Sequence, residues 1–560
     1  MSKTPYARLL PNNYGDRKYA LPVSVTGAPL PSARHVSNVL NPVGSQNDYR
    51  HTLGLMQFGQ IVAHDLSFTG FGEDFGKPAV ECCVDGQFGS DVNNPRCAVI
   101  HTPPNDPIFG PAGYRCLNLE RTVTSRDVGW TPASEVAEPI TVVTGHFDLS
   151  NVYGPTDDVA RRIRLFRGGR LITEQRHGQS WIQNARNSTE TCGSANANHV
   201  PCYDGGDVRI NQNPQLTILQ TTFVREHNRL ADGLAAINPH WNDERLYQEA
   251  RQINIAKYQK IVYTEYVPRI IGEEYARRIG AIHAPQYACT KDYDGAVDAS
   301  AVVESASAAL RALHSQIAGS LNFINEHREA IGSIRITDHI NINDVLEQRS
   351  PAGNTCDLKF DLLTRGMGYQ PTKYNDKYFV GQMKHYLFKG NRTLGTDLRA
   401  IDIQRERDHG VGTYLEALSY CAMPIPSTFD DLRGRMPDQD IAALRQVYAD
   451  VRDISLNSGG LLEYPAPNAL VSQTYACMLG AEFRRARTGD RFFYENCNVF
   501  NQAQLNSIRQ GSFACHMCRN AYCVTRMQPQ AFDTVGFNNQ LEDCQRLCPF
   551  DLSPWREARE

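Results

Sequence analysis

The sequence lacks the long apolar run that a membrane-spanning helix requires. No apolar stretch in its 560 residues reaches the ~18 residues needed to cross a bilayer. It also lacks a strong charge of either sign, since 57 basic and 61 acidic residues give a net charge of −4. That balance argues against a nucleic acid or another polyanion as the main partner. We therefore expect neither a transmembrane segment nor a nucleic-acid partner.

Two further absences concern organisation. There is no internal repeat and no alternation of strand and helix patterns, which argues against a parallel sheet. The N-terminus, MSKTPYARLLPNNYGD, lacks the apolar core of a signal peptide. A secreted protein with this N-terminus would have to be a truncated sequence or one whose leader has been removed.

The cysteines nevertheless point to an oxidising compartment. There are 16, and most lie in loop-like segments such as RCAVIHTPPNDPIFGPAGYRC. That pattern is typical of disulfides in extracellular proteins. Asn187 and Asn391 begin glycosylation sequons, which agrees. We expect a secreted protein, and the alternative is a cytosolic chain with reduced cysteines.

The hydrophobic pattern predicts a mainly α fold with long loops. Residues 1–50 are rich in Pro, Asn and Gly and are expected to form an extended arm, whereas residues 51–550 are expected to form one large helical domain. Asn213 and Pro214 have the residue types of a helix cap and a first helical turn. Helices are predicted over 51–66, from 213, from about 243 to before Pro268, and over 301–318, 411–421, 440–452 and 471–486.

The first predicted helix contains QIVAHDLSFTG, where His64 and Asp65 adjoin in an apolar run. Gln57, Gln60 and His64 share one face of this helix at spacings of three and four. A satisfied core histidine is the common explanation of such a residue. The buried carboxylate of Asp65 needs a cation or several hydrogen-bond donors.

Oxygen-bearing side chains alternate in the segment TGHFDLSNVYG. They are those of Thr144, Asp148 and Ser150, with His146 between them. Hydroxyls, a carboxylate and backbone carbonyls are the ligands that Ca²⁺ prefers. A strand with one polar face is the alternative, and a further carboxylate such as Asp65 would favour the metal.

Three other segments contain polar residues that are candidates for a functional site. Arg209 precedes the helix at 213, and Arg311 and His314 lie three residues apart on an Ala/Leu-rich helix. Each has an ordinary explanation, a surface ion pair or a structural histidine. The segment DLRAIDIQRERDHG, 397–410, has dense charge in what we take to be a non-helical context. Its apolar flanks indicate buried, paired charges rather than a solvated loop.

Together these strings resemble one family. QIVAHD, TGHFDLSNVYG, FVREHNRLA, ERLYQEARQI, DIQRERDHG and RTGDRFFYEN, in this order, resemble the animal haem peroxidases of the peroxidase–cyclooxygenase superfamily, over about residues 5–545. The texture is closest to the invertebrate chorion-peroxidase and peroxinectin type. The resemblance implies a single helical domain that holds haem between the first helix and the helix of His314.

The resemblance also implies roles on both sides of the haem. His64 corresponds to the distal histidine that moves a proton between the two oxygens of the peroxide. Arg209 corresponds to the arginine that stabilises negative charge on the departing oxygen, and Gln60 to a glutamine that orders water or a halide. His314 corresponds to the proximal iron ligand, and Arg311 to an arginine near a haem propionate.

Asp402 stands where the partner of the proximal histidine is expected, and most close relatives have asparagine there. A carboxylate would accept the imidazole N–H with full charge, raise the basicity of the ligand and favour Fe(III) over Fe(II). Arg405 in the same segment is also expected to contact the cofactor. On the other side, Asp65 is expected to face away from the haem. It would enter a Ca²⁺ site completed by Thr144, the His146 carbonyl, Asp148 and Ser150.

The sequence departs from the mammalian members at the positions that esterify haem. Those positions hold Ala63 and Gln212, and Asn213 replaces the methionine of a third link. We therefore expect non-covalent haem b. Without covalent attachment, and with Asp402 lowering the potential, we expect oxidation of phenols, iodide or thiocyanate rather than chloride.

Disulfide pairings follow only from the resemblance. It implies Cys97–Cys116, Cys192–Cys202, Cys421–Cys477, Cys518–Cys544 and Cys289–Cys356. It leaves Cys82, Cys83, Cys497, Cys515, Cys523 and Cys548 unassigned. The C-terminal CHMCRNAYC with EDCQRLC has an alternative interpretation as a zinc knuckle.

The functional hypothesis is a secreted peroxidase that uses hydrogen peroxide to oxidise small phenolic donors, with protein cross-linking as one use. One alternative is a halide- or thiocyanate-oxidising defence enzyme. Another is an adhesion protein on a peroxidase scaffold, for which Thr488-Gly489-Asp490 is a poor candidate motif. The sequence does not indicate an oligomeric state.

Overall fold

The computed structural model describes residues 2–186, 192, 201–283, 288–342, 344–350 and 358–557. Helices dominate these ranges, and their strands form seven two-stranded antiparallel ribbons. The predicted mainly α fold with disulfides is confirmed. Across the described ranges, no helix combines the length and apolar character of a membrane span.

The helices are numbered in chain order. They are α1 Ala33–Leu40, α2 Leu53–Leu66, α3 Ser150–Tyr153, α4 Asp157–Ile163, α5 Pro214–Ile237, α6 Asp243–Ile261, α7 Val267–Ile271, α8 Glu273–Arg278, α9 Lys359–Tyr369, α10 Gly381–His385, α11 Leu398–Asp408, α12 Tyr414–Tyr420, α13 Asp438–Val447, α14 Leu456–Leu462, α15 Gln473–Thr488, α16 Gln502–Arg509 and α17 Phe513–Asn520. The 3₁₀ turns are Gly72–Phe75, Val208–Asn211, Leu310–Gln316, Ile336–Asp338, Phe429–Leu432, Val451–Asp453 and Ser553–Trp555.

The strands pair as short ribbons. The pairs are β1 Thr4–Pro5 with β7 Ile140–Thr141, β2 Asn47–Thr52 with β12 Pro371–Lys373, β3 Cys83–Val84 with β4 Gln87–Phe88, β5 Ile100–His101 with β6 Cys116–Leu117, β8 Thr173–Arg176 with β9 Gln179–Ile182, β10 Ser320–Ile324 with β11 Ala330–Arg335, and β13 Arg526–Met527 with β14 Glu542–Asp543. The proposed arm, residues 1–50, is therefore not wholly extended, because it contains α1.

Helix α2 lies in the main hydrophobic core, as its broad apolar pattern predicts. Phe58 packs against Tyr266 and Phe532, with ring centroids 5.7 and 5.2 Å away. A glycine is needed beside it, since a Cβ on Gly59 would lie 2.6 Å from the Tyr266 hydroxyl oxygen. The close approach of these elements fixes α2, and with it the face that carries Gln57, Gln60 and His64.

The predicted start of α5 is confirmed. The Asn213 side chain accepts the backbone N–H of Leu216 at 2.9 Å, and Pro214 occupies the first turn, where its missing N–H costs nothing. The expected end of the next helix before Pro268 is only partly right. Helix α6 ends at Ile261, but a π-helical turn and then α7 carry the chain past Pro268.

The segment around His314 is helical but irregular, unlike the regular helix predicted over 301–318. A π-helical turn at Ser305–Ala309 is followed by the 3₁₀ turn Leu310–Gln316. Such departures from α geometry often occur at functional sites, where they redirect side chains. Periodicity alone does not reveal them, because the apolar spacing of the three helix types is similar over one turn.

The charged segment 397–410 is a buried helix, α11, so its predicted non-helical character is wrong. Asp397 caps it by accepting the backbone N–H of Arg399 at 2.9 Å. The expected buried ion pairs are present, because Asp408 accepts from Arg405 at 2.7 Å and from Arg121 at 2.8 Å. Because charged as well as apolar residues are buried on its different sides, the helix has no distinct polar face that would identify it.

The disulfides correct two implied pairings. Cys97 is bonded to Cys82 and Cys116 to Cys83, because adjacent residues at the start of β3 point in opposite directions and reach different partners. Cys289 is bonded to Cys497 rather than to Cys356, which lies outside the described residues. The chain brings them together where Cys497 N–H bonds the Thr290 carbonyl at 3.1 Å.

The other implied pairs are confirmed. These are Cys192–Cys202, Cys421–Cys477 and Cys518–Cys544. Cys515 is bonded to Cys548, and Cys523 is disulfide-bonded as well. These bonds use the cysteines of the alternative zinc knuckle, which the structure therefore does not support. The sequon asparagine Asn391 is exposed, while Asn187 lies outside the described residues.

Candidate active site

A cavity of about 320 Å³ separates α2 from the turn that carries His314. Its polar lining residues are Gln57, Gln60, His64, Ser67, Thr69, Arg209, Gln212, Asn213, Arg311, His314 and Arg405. The rest of the lining is largely apolar, with Phe68, Phe71 and Phe388 among its members. We call the side with Gln60, His64 and Arg209 the distal wall and the side with Arg311, His314 and Asp402 the proximal wall.

The distal arginine is fixed by an acid that the sequence analysis missed. The Arg209 Nη2 donates to Asp207 Oδ2 at 2.6 Å, and Nε donates to Oδ1 at 2.9 Å. Asp207 is buried, which raises its pKa, but the charge of Arg209 more than offsets this and holds the pKa below its ordinary value. The signal available in the sequence was an aspartate two residues before the arginine.

Arg209 also closes the C-terminal end of α2. Its Nη2 donates to the His64 carbonyl and its Nη1 to the Ser67 carbonyl, each at 2.9 Å. Carbonyls at a helix end lack intrahelical partners and favour a positive charge. Among the contacts of the described residues, one Nη1 hydrogen of the guanidinium stays uncommitted, which leaves one donor for a bound molecule.

Gln60 belongs to a chain of side-chain amides. Its Oε1 accepts from Gln57 Nε2 at 2.8 Å and from Asn213 Nδ2 at 2.9 Å. Its Nε2 donates to Gln212 Oε1 at 3.1 Å and lies 3.4 Å from His64 Nε2. The predicted shared face of Gln57, Gln60 and His64 is thus present, and two residues from the start of α5 join it.

His64 is kept neutral by its surroundings. Burial, and then the positive charge of Arg209, hold the pKa of the imidazole well below its ordinary value. A neutral imidazole has one nitrogen with a lone pair, which is the form that accepts a proton. The distal wall can therefore act as a base at neutral pH.

The proximal wall is organised around Asp402. His314 Nδ1 lies 2.9 Å from Asp402 Oδ2, and Arg311 Nη1 donates to the other carboxylate oxygen at 2.9 Å. Arg399 lies 3.9 Å away as a third positive group. Although burial raises its pKa, these neighbours hold the pKa of Asp402 below its ordinary value. The carboxylate is ionised, and its bond to Nδ1 leaves Nε2 of His314 as the nitrogen with the lone pair.

Arg405 lines the cavity but is bound mainly to the protein. Its Nη1 donates to the Glu120 carbonyl at 2.8 Å, to Thr122 Oγ1 at 3.1 Å and to Asp408 at 2.7 Å. Burial lowers its pKa, and Asp408 raises it again in part. The structure thus places Arg405 at the cavity, beside Arg311, with its charge already paired.

Comparison with known proteins identifies the family of the chain. The family model described as animal haem peroxidase matches residues 1–532. The chain belongs to the animal haem peroxidase family. It is 40% identical over 565 residues to the peroxidase of Drosophila melanogaster, over 100% of this chain and 81% of that one. It is 35% identical over 571 residues to the chorion peroxidase of Aedes aegypti, over 100% of this chain and 69% of that one.

The fold of this peroxidase agrees with the assignment. The structure of peroxidase A from Dictyostelium discoideum superposes with a TM-score of 0.76 at 23% identity, covering 95% of this chain and 96% of that one. The protein is accordingly a haem-dependent oxidoreductase whose oxidant is hydrogen peroxide.

The pocket residues of the peroxidase fit a haem. His314 presents a nitrogen lone pair with its other nitrogen held by a carboxylate, as iron-ligating histidines usually are. The apolar lining suits a porphyrin, and Arg311 and Arg405, which also line the cavity, are cations of the kind that would hold anionic propionates. A neutral histidine and an arginine face the same space from the opposite side.

The positions that would esterify haem hold no carboxylate in this peroxidase. Ala63 carries no functional group, and the Gln212 amide is occupied by its bond to Gln60. The Asn213 side chain both caps α5 and donates to Gln60. These residues maintain the distal wall and offer no group that could form an ester bond.

The predicted calcium ligands converge behind the distal wall. Ser150 Oγ donates to Asp65 Oδ1 at 3.0 Å, and Thr144 Oγ1 donates to Asp148 Oδ1 at 2.8 Å. Asp65 is buried, and the nearby Asp148 adds to the effect of burial in raising its pKa. Two carboxylates without a cation repel, so the donor set fits a hard cation such as Ca²⁺.

His146 joins this set less directly. Its Nδ1 lies 2.9 Å from the Thr144 carbonyl oxygen, so the ring is tied into the same loop. The set depends on hydroxyl and carbonyl oxygens, because no group of three or more His, Cys, Asp or Glu side chains suited to a metal is found in the described ranges. That composition favours Ca²⁺ over Zn²⁺ or a transition metal.

Proposed function

We propose that this peroxidase holds haem b without covalent bonds and oxidises small phenolic donors with hydrogen peroxide. The observation that supports it most is the pairing of two opposed walls across one cavity, a neutral His64 on one side and the Asp402-bound His314 on the other. The haem, when bound, supplies an iron centre that exchanges electrons with peroxide and then with the donors.

His64 moves the proton. An incoming peroxide must lose a proton from one oxygen and gain one on the other, and a neutral imidazole within reach of both can do this in turn. The low pKa of His64 keeps it ready to accept, and no carboxylate among the described residues hydrogen-bonds its ring to trap the proton. Gln60 lines the same cavity beside His64, and its amide atoms bond Gln57, Asn213 and Gln212.

Arg209 stabilises charge. Its guanidinium stays cationic, and its positions are fixed by Asp207 and by two carbonyls of α2, so it requires no rearrangement when negative charge develops on the departing oxygen. The proximal wall differs, because it places an anion beside its histidine. The ionised Asp402 accepts the N–H of His314 and makes its Nε2 a stronger electron donor.

Non-covalent haem has a direct test. Acidic organic solvent should remove the haem completely, because the residues at the esterifying positions are Ala63, Gln212 and Asn213. Haem that stays on the polypeptide after extraction would overturn this part of the proposal. Restoring a carboxylate with Gln212→Glu is the matched variant, since peroxide treatment could then leave some haem bound.

The donor class is tested by competition at constant peroxide. We expect phenols such as tyrosine to be oxidised efficiently, iodide and thiocyanate also, and chloride not at all, because the potential is lowered by Asp402 and is not raised by haem esters. Efficient chloride oxidation would contradict the proposal. Iodide or thiocyanate strongly preferred over phenols would favour the defence-enzyme alternative.

We also propose that the site of Asp65, Asp148, Thr144 and Ser150, with the His146 carbonyl, binds Ca²⁺. The cation would neutralise the buried carboxylates and hold Asp65 in place next to His64. Calcium analysis of the protein purified with and without a chelator tests this. A protein that contains no calcium and is indifferent to chelation would refute it.

An extracellular location is part of the proposal, supported by the disulfides and the exposed Asn391. The adhesion alternative gains no support from Thr488-Gly489-Asp490. The Asp490 carboxylate accepts the Phe492 N–H at 2.8 Å and lies 3.3 Å from Gln259 Nε2, so it is held by the protein rather than presented to a receptor. Detection of the protein in medium, glycosylated at Asn391, is the test.

A further inference from the structure

The hydrogen bonds between the side-chain amides of the distal wall all run in one order from donor to acceptor. Gln60 and Asn213 each carry one donor and one acceptor end, and such ends are assigned from hydrogen bonds rather than seen directly. One bond in the chain is unambiguous, because the backbone N–H of Leu216 can only donate. Asn213 must therefore point its carbonyl oxygen at Leu216, 2.9 Å away.

The orientation of Asn213 determines the orientation of the next amide, that of Gln60. With its oxygen used at Leu216, Asn213 offers Nδ2 to Gln60, 2.9 Å away, so the facing atom of Gln60 is its oxygen. Gln57 donates to the same oxygen at 2.8 Å. The NH₂ group of Gln60 is then turned to Gln212, at 3.1 Å, and towards His64 Nε2, at 3.4 Å.

His64 thus faces a donor at Nε2. A donor disfavours a hydrogen on Nε2 and favours the tautomer in which Nε2 carries the lone pair. The other ring nitrogen, Nδ1, is buried and no group in the described part of the chain accepts from it, so the Nδ1 side does not select a tautomer. The amide chain is the protein's means of selecting one.

We propose that Asn213 and Gln57 are positioning residues that orient the Gln60 amide and so keep the Nε2 of His64 unprotonated towards the haem pocket. Through two hydrogen bonds, the capping residue of α5 thereby determines which ring nitrogen of His64, on α2, carries the hydrogen. This inference rests on the proposed role of His64. Of the two residues, Asn213 stands at the position for which the resemblance implies the methionine of a third haem link.

Two substitutions of one residue separate this role from a structural one. Asn213→Asp and Asn213→Ser both keep an oxygen that caps α5, and both remove the amide NH₂ that donates to Gln60. The serine hydroxyl can still donate, but its side chain is one bond shorter than that of asparagine. Only the aspartate puts an acceptor in the donor's place, which should turn the Gln60 amide round and present its oxygen to His64. That orientation favours a hydrogen on Nε2 and removes the base from the pocket.

The readout is the binding of hydrogen cyanide to the ferric holoprotein, followed by the Soret band. Binding as cyanide requires the proton of HCN to pass to Nε2. We expect Asn213→Asp to slow association about tenfold or more, part of the ~10²–10⁴ that a general base contributes. We expect Asn213→Ser to slow it by less than about threefold, because Gln57 still holds the Gln60 oxygen.

Carbon monoxide binding to the ferrous protein is the control, since it needs no proton transfer and should proceed at the wild-type rate in both variants. The negative charge that Asn213→Asp adds could alter the protonation of His64, so rates are compared at the plateau of the pH profile. Equal effects of the two variants, or slowed carbon monoxide binding, would overturn the inference. If the wild type binds neither haem nor cyanide, the proposed function itself fails.

Discussion

The two walls of the haem pocket handle charge in different ways. On the distal wall, His64 faces the neutral amide of Gln60, which belongs to a chain of amides that starts at Asn213. The cation of this wall, Arg209, is paired with its own acid, Asp207. On the proximal wall, Asp402 gathers His314, Arg311 and Arg399 around one ionised carboxylate. Both walls are buried, so the difference does not come from solvent.

The difference follows the task of each histidine. The low pKa of His64 favours release of the proton that it accepts, whereas an anion beside the ring would raise that pKa. An iron ligand is improved by such an anion, which strengthens its donation. The carboxylates proposed to bind calcium, Asp65 and Asp148, lie behind α2, and the distal carboxylate Asp207 is bonded to Arg209.

The largest effect is expected from removing the distal base. His64→Gln should lower kcat/KM for hydrogen peroxide by ~10²–10⁴, the usual contribution of general acid–base catalysis. Haem binding should persist, because the proximal wall is unchanged. Stopped-flow measurement of the peroxide reaction checks this, and a rate within tenfold of wild type would break the proposed division between the walls.

The next effect is expected from removing the proximal charge and its hydrogen bond together. Asp402→Ala should weaken haem retention by ~10–100-fold, as is usual when a partner of a metal ligand is lost. Arg311 and Arg399 would also lose their counterion. Haem transfer to an acceptor protein measures it. Retention equal to that of the wild type would show that Asp402 does not position His314.

A smaller effect on the peroxide reaction is expected from Asp65→Ala, because Asp65 does not face the cavity. Its loss should instead remove bound calcium and lower stability, by about 2.7 kcal/mol at free calcium 100-fold above the dissociation constant. Thermal unfolding with and without chelator tests this. The chelator should destabilise the wild type and leave the variant unaffected, whereas equal sensitivity of both proteins would count against the site.

The smallest effect on rate is expected from Asp402→Asn, which keeps the hydrogen-bond acceptor and removes only the charge. The Fe(III)/Fe(II) reduction potential should rise, because the anion favours the ferric state. Spectroelectrochemical titration measures the potential. An unchanged potential would mean that Arg311 and Arg399 already cancel the carboxylate, so that the two walls differ less than their residues indicate.

The sequence predicts the residues of the two walls better than it predicts the hydrogen bonds that connect these residues. His64 and its helix, the cap at Asn213 and the alignment of His314 with Asp402 all follow from local pattern or from family resemblance. The bond between Asn213 and Gln60 does not, because it joins residues 153 apart and depends on how α2 and α5 pack.

Other structural features could not be predicted from the hydrophobic pattern of the sequence, for similar reasons. The apolar residues of the π and 3₁₀ turns around His314 do not distinguish them from an ordinary helix, and α11 was not recognised as a helix because many of its charged residues are buried. Disulfide partners depend on which strands meet, which spacing does not determine. Cys289 therefore pairs with Cys497, at a sequence separation of 208.

The most direct test of the account is the optical spectrum of the ferric holoprotein before and after one equivalent of hydrogen peroxide, followed by a phenol. The account predicts a Soret band that shifts on adding peroxide and returns when the phenol is added. A protein that binds haem but whose Soret band is indifferent to peroxide would contradict it, because His64, Arg209 and His314 would then form a pocket that does not catalyse the reaction.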